Sequence, residues 1–141
     1  MPELARLLAG ERAPGVYWWP VAPGAEKLRV EAEDAGWRFV ELDTTMVVDK
    51  AGLLDAIATT FGFPAYFGRT FDALADCLSD VRDEIGVLVL WEGWAALAEL
   101  NPQTAGLALE VFGERAAEKR WGPFAVLVAG LGPELDIPTF E

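Results

Sequence analysis

Short apolar runs alternate along the chain with stretches of helical spacing, the pattern of an α/β protein. Val16 to Trp19 predicts a first strand, on which Trp18 and Trp19 face opposite sides. Glu26 to Ala35 is rich in helix formers and ends at Gly36, a residue suited to the left-handed position past a helix end. Trp37 to Leu42 predicts a second strand. Lys50 to Phe61 puts Leu53, Leu54, Ile57, Ala58 and Phe61 on one helical face, with Asp49 as its N-cap. Ile85 to Trp91 is uninterrupted and apolar, as in a strand covered on both faces at or near the centre of a sheet. Trp94 to Leu100 and Pro102 to Lys119 follow as helices, the longer one turning Leu107, Ala108 and Val111 inward, and Pro123 to Ala129 closes the pattern as a last strand. The expected order is β-α-β-α-α-β-α-α-β, with parallel strands and right-handed crossovers. Gly10 to Pro14 reads as a surface loop and Gly132 to Glu141 as a loosely held tail; there is no internal repeat and no low-complexity segment.

The segment Phe61 to Val81 contains a short helix with two opposed faces. Phe71, Leu74, Leu78 and Val81 recur at helical spacing, while Asp72, Asp76 and Asp80 recur every four residues within an arc of roughly 80°. Thr70 is placed to cap this helix, and Gly68 lets the preceding loop turn. Asp72 in the first turn is favoured by the helix dipole. Asp76 and Asp80 have no such support, since like charges four apart cost roughly 0.2–0.5 kcal/mol per pair and a carboxylate near a helix C-terminus is disfavoured. A merely solvated face explains the row about as well as a surface shaped for a cationic partner, although Lys and Glu would have solubilised it without that cost.

Composition points the same way, although plain solubility accounts for an acidic chain about as well. The chain has 141 residues, 23 Asp and Glu against 11 Lys and Arg, and a formal charge of -12. Phosphate backbones and anionic membranes are repelled by such a molecule, and a basic protein is drawn to it. With 52% hydrophobic residues the length suits one domain over residues 1–141. No signal peptide or membrane span is evident, and the single cysteine, Cys77, bars intrachain disulfides; the expectation is a cytoplasmic protein with Cys77 buried beside the apolar face.

Most catalytic templates are excluded by composition. Without histidine there is no Ser-His or Cys-His pair and no His-containing zinc site, and one cysteine cannot form a thiolate cage. Gly130 and Gly132 lack the helix and Lys-Ser/Thr pair of a phosphate loop. Asp72, Asp76 and Asp80 are hard oxygen ligands for Mg²⁺, but side chains spaced along an exposed helix face rarely converge on one ion. Of the six tryptophans, Trp37 and Trp91 are read as core residues. Tyr66, before the acidic helix, reads as an interface anchor or as a plug of its loop onto the core.

The residues Phe63-Pro64-Ala65-Tyr66-Phe67-Gly68, Phe71-Asp72-Ala73-Leu74 and Asp76-Cys77-Leu78 resemble the barstar family. The strand Val87-Leu88-Val89-Leu90-Trp91, the Val111-Phe112 pair with Glu114, and the strand Phe124 to Val128 resemble it in order and spacing, so that the likeness covers about Gly36 to Gly130. The resemblance implies a small α/β domain with a parallel sheet, acting without catalysis or cofactor as an intracellular inhibitor of a basic microbial ribonuclease, as a monomer binding one to one. It implies that the acidic helix and its loop lie over the ribonuclease active site, with carboxylates where RNA phosphates belong. By position, Asp76 is the principal phosphate mimic, Asp72 a second charge partner, Tyr66 an aromatic contact and Glu114 a flanking charge. The candidate partner-binding set is therefore Tyr66, Thr70, Asp72, Ala75, Asp76, Asp80 and Glu114.

The chain departs from the family pattern at Ala75, where the type member has Trp, and at Asp80-Val81, where it has Gly-Trp. These departures keep open a basic partner other than a ribonuclease. A carboxylate-based metal enzyme, with its site near Asp43 and Glu92 at the strand ends, is the lesser alternative. Residues 36–132 are expected to form the core and 133–141 a tail. Residues 1–35 lie outside the family's minimal core, and their strand and helix are expected to add a fourth strand to the sheet.

Overall fold

The computed structural model describes residues 3–64 and 68–140. Strands β1 (Val16–Trp19), β2 (Arg38–Asp43), β3 (Val87–Glu92) and β4 (Phe124–Ala129) form one sheet in the order β1-β4-β3-β2, with every pairing parallel. The connecting helices are α1 (Glu3–Leu8), α2 (Ala25–Asp34), α3 (Lys50–Phe61), α4 (Phe71–Leu78), α5 (Ala95–Leu100) and α6 (Pro102–Ala117), followed by a 3-10 turn at Lys119–Trp121. The α/β class, the parallel sheet and the fourth strand from the N-terminal segment are as the sequence predicts.

Alternation along the two central strands divides the interior into two layers. Val87, Val89 and Trp91 of β3 and Phe124, Val126 and Val128 of β4 pack with α3, α4, α5 and α6. Leu88, Leu90, Ala125 and Leu127 face the other way, onto Leu4 and Leu7 of α1 and Leu28 and Ala32 of α2. Both faces are covered, which is why the central strands are apolar at successive positions. Trp37 and Trp91 are buried, and the Trp91 indole donates to Thr44 Oγ1 at 2.8 Å. Helix α3 is capped by Asp49, whose carboxylate accepts from Gly52 N at 2.8 Å, and α2 is followed by Gly36 at φ +86°.

Several boundaries differ from expectation. The strand predicted from Ile85 begins at Val87, because Asp83 Oδ1 accepts from the amides of Ile85 and Gly86 and bends the chain there; Ile85 is exposed. Leu107 is also exposed, the buried stripe of α6 running instead through Ala105, Ala108, Phe112 and Ala116. Helix α1 is too short to show periodicity in the sequence, yet it buries Leu4 and Leu7 against the sheet and is tied to the next loop by an ion pair of Glu3 with Arg12. The tail is not loosely held. Trp18 donates its backbone N–H to Pro138 O at 2.9 Å and accepts from Phe140 N at 2.7 Å, and Phe140 is 1% exposed between Tyr17 and Trp19.

Candidate functional site: an acidic helix and its flanking clefts

Helix α4 is fixed at both ends and along one side. Thr70 Oγ1 accepts from Ala73 N at 3.0 Å, the expected N-cap. Leu74 and Leu78 are fully buried and Phe71 partly so, which holds the opposite face in solvent. The preceding Arg69 adopts φ +53°, a conformation a non-glycine residue rarely takes, and its guanidinium pairs with Asp55 of α3 at 2.9 Å.

The C-terminal end of α4 is held by a residue that sequence reasoning missed. Arg115 of α6 is 3% exposed and donates to four backbone carbonyls: Nε to Leu78 at 3.1 Å, Nη2 to Val81 at 2.7 Å and Trp121 at 3.0 Å, and Nη1 to Gly122 at 3.4 Å. A cation at a helix C-terminus satisfies carbonyls that have no intrahelical partner and meets the negative end of the dipole. Burial, and then Arg82, lowers its pKa from the ordinary guanidinium value, with Glu118 opposing. The signal was present in the sequence: Arg115 lies three residues after Phe112 on the buried stripe of α6.

The acidic row is shorter than predicted. Helix α4 ends at Leu78, and Asp80 sits beyond it in a turn whose N–H bonds to Cys77 O, because Ser79 Oγ donates to Asp76 O and Arg115 draws the carbonyls of Leu78 and Val81 aside. Asp72, Ala75, Asp76, Asp80 and Glu114 are exposed, as is Thr70. Among the described residues no ion pair engages Asp72, Asp76, Asp80 or Glu114. Cys77 is half-buried rather than buried, and desolvation, then Asp80 and Asp76, raises its thiol pKa. Val81 is buried, so that position offers no surface contact.

Asp76 stands between two clefts. One, of about 400 Å³, separates α4 from α6 and brings Asp76 and Ala75 opposite Glu114, with Glu118 and the half-buried Trp121 along its wall. The other, of about 370 Å³, is lined by Asp76 and Asp80 with Phe63, Pro64 and Arg38. Asp72 lines neither. Tyr66 lies outside the described residues. Glu118 and Trp121 were not singled out from the sequence; Trp121 is carried by a turn that Gly122 allows, at φ +81° with the Asp83 carbonyl where a Cβ would lie.

Asp43 and Glu92 are register partners at the C-terminal ends of β2 and β3, away from these clefts. Asp43 Oδ1 accepts from the Thr45 backbone N–H at 2.9 Å and hydroxyl at 2.6 Å, and these bonds lower its pKa. Desolvation, followed by Glu41 and Asp43, raises that of Glu92. Among the described residues no group of three or more potential ligands is arranged to hold a metal ion, and no helix is long and apolar enough to cross a membrane.

A four-stranded parallel sheet presenting an anionic helix on one flank defines a small α/β protein whose outward chemistry is a set of unpaired carboxylates. Residues 37–129 match the family described as Barstar (barnase inhibitor), and the chain belongs to that family. No curated protein sequence matches it. Among solved structures it is similar to the ORC2 protein of Aeropyrum pernix in its ADPNP-ADP complexes, with a TM-score of 0.59 and 15% identity over 92% of this chain and 38% of that one. The ADP form of that protein gives a TM-score of 0.58 and 18% identity over 92% and 38%. Cdc6p of Pyrobaculum aerophilum gives 0.58 and 19% over 91% and 37%. At such identities the likeness shows the fold alone, and the chain spans well under half of those proteins.

Proposed function

We propose that the chain inhibits a small basic ribonuclease, laying α4 and the clefts beside it over the enzyme's active site as a one-to-one complex inside the cell that makes it. Membership of the Barstar family supports this reading, and the observation that carries it is the unpaired state of Asp72, Asp76 and Glu114 around one helix. A carboxylate with no internal cation is free to accept charge-assisted bonds from arginine, lysine or protonated histidine that otherwise hold RNA phosphates. Asp76 is the central acceptor, Asp72 and Glu114 flank it, and Thr70 acts by capping the helix that carries them. The net charge of -12 accelerates encounter with a basic enzyme.

The test is inhibition of a panel of small secreted guanyl-preferring ribonucleases by the purified chain, with Asp76→Ala alongside. Stoichiometric inhibition is expected, weakened in the variant by more than about 2 kcal/mol. Absence of inhibition across the panel sinks the reading. Ala75 and the buried Val81 favour a second one, in which the same surface meets a basic protein that is not a ribonuclease; binding without inhibition distinguishes it.

A further inference from the structure

We infer that the cavity at the N-terminal ends of the strands is a binding site for a neutral, largely apolar small molecule that carries one hydrogen-bond donor. Its volume is about 640 Å³, larger than either cleft beside Asp76 and within the range of small-molecule sites. All four strands are entered from its walls, through Pro14, Trp37, Ile85 and Pro123, and α1 and α6 both end there. One wall comes from residues between Leu7 and Pro14, ahead of the family match, and the other from residues between Trp37 and Pro123, within it. The site is thus built jointly by the N-terminal segment and the core.

The lining selects the occupant. Leu7 and Trp37 are buried, and Ile85, expected from the sequence to lie within β3, is instead 54% exposed on this wall. Asp83 Oδ1 holds the Ile85 N–H at 2.9 Å and so keeps this aliphatic side chain at the mouth, where an apolar ligand takes it out of water. Charge disfavours an ion. The charged side chains in the lining are Glu118 and Lys119, one of each sign, and Glu118 already accepts from Arg120 at 2.8 and 3.0 Å. An anion faces the negative ends of α1 and α6 in a chain of charge -12, and a cation meets Lys119 and exchanges its hydration for hydrocarbon. The polar groups ask for a donor. The Trp37 indole N–H is spent on Leu8 O at 3.1 Å, and Pro14 and Pro123 bring no N–H. The carbonyls of Ala116 and Ala117, the last residues of α6, take no backbone N–H among the described residues and are open to a hydroxyl or N–H of the ligand.

The probe is 2-naphthol, followed by NMR at the Trp37 indole N–H, the Ile85 methyls and the Gly122 amide, with 2-naphthoate and 2-naphthylmethylammonium as its anionic and cationic counterparts. Saturable shifts at these groups are expected, with both ions bound at least about tenfold more weakly. Ala13→Phe and Ala117→Phe add a ring to the lining from exposed positions, and each should weaken the naphthol at least about tenfold. Overhauser contacts from naphthol protons to Ile85 and Trp37 in the unaltered chain locate the ligand independently of the variants. No saturable shift, contacts only elsewhere on the chain, or binding unchanged in both variants overturns the site, and an ion bound as tightly as the naphthol overturns the ligand class assigned to it. These outcomes leave the inhibitor reading untouched, because none of Asp72, Asp76 and Glu114 lines this cavity.

Discussion

Arg115 on α6 donates its Nε–H to the carbonyl of Leu78, the last residue of α4, at 3.1 Å. Through this contact and its bond to Val81 O, a buried cation sets where the acidic helix stops and how it lies against α6. Arg115→Met keeps much of the volume but strands buried carbonyls, and a loss of at least about 3 kcal/mol in urea unfolding is expected. Arg115→Lys should fall between the two, since one ammonium cannot span the four acceptors. A loss below about 1 kcal/mol for the methionine variant would show that the guanidinium does not carry this end of the helix.

Removing the N-cap should have a smaller and separable effect. Thr70→Ala deletes the acceptor of the Ala73 N–H and should cost about 1 kcal/mol, with Thr70→Ser restoring most of it. Equal stability of the alanine and serine variants would exclude the cap as the role of Thr70.

The fold was legible where burial repeats in a regular way. Leu53, Leu54, Ile57 and Phe61 declare α3 at helical spacing, and the continuous apolar run of β3 declares a strand enclosed on both faces. Asp76 was read from the periodicity of its helix and Glu114 through the family resemblance, but their position across one cleft depends on how α4 docks on α6, which no local pattern encodes. Arg115 was hidden because a charge on an apolar stripe reads as an irregularity until its carbonyl acceptors, in segments distant along the chain, come into view. Phe140 was hidden because an isolated aromatic in a Pro-containing tail has no period at all.

Asp43 and Glu92 should respond to pH with opposite signs. The raised pKa of Glu92 means that the folded state holds its proton more tightly than the unfolded chain does, so its ionisation costs stability above the ordinary carboxyl value of 4.5. Glu92→Gln should therefore raise Tm at neutral pH, with the gain vanishing below that value. Asp43, lowered from 3.8 by its bonds to Thr45, contributes stability above that value that is lost as pH falls through its depressed folded pKa. Thr45→Ala should reduce Tm at neutral pH and not at pH below the folded value. A Tm difference that is flat with pH for both variants would contradict these assignments.

Phe140 should be worth as much as a residue of the central core. Phe140→Ala empties a site enclosed by Tyr17, Trp19 and Arg12, and a loss of about 3 kcal/mol is expected in denaturant unfolding. A change under about 1 kcal/mol would mean that the tail leaves this site readily in solution.

The pairing of Pro138 and Phe140 with the backbone of Trp18 also bears on solubility. A border strand with free amides and carbonyls is a template on which another chain can add, and here Pro138, Thr139 and Phe140 of the same molecule take up part of that border on β1. Trimming before Pro138 would free the Trp18 N–H and C=O beside two large aromatic rings, and the trimmed chain should then self-associate by strand addition.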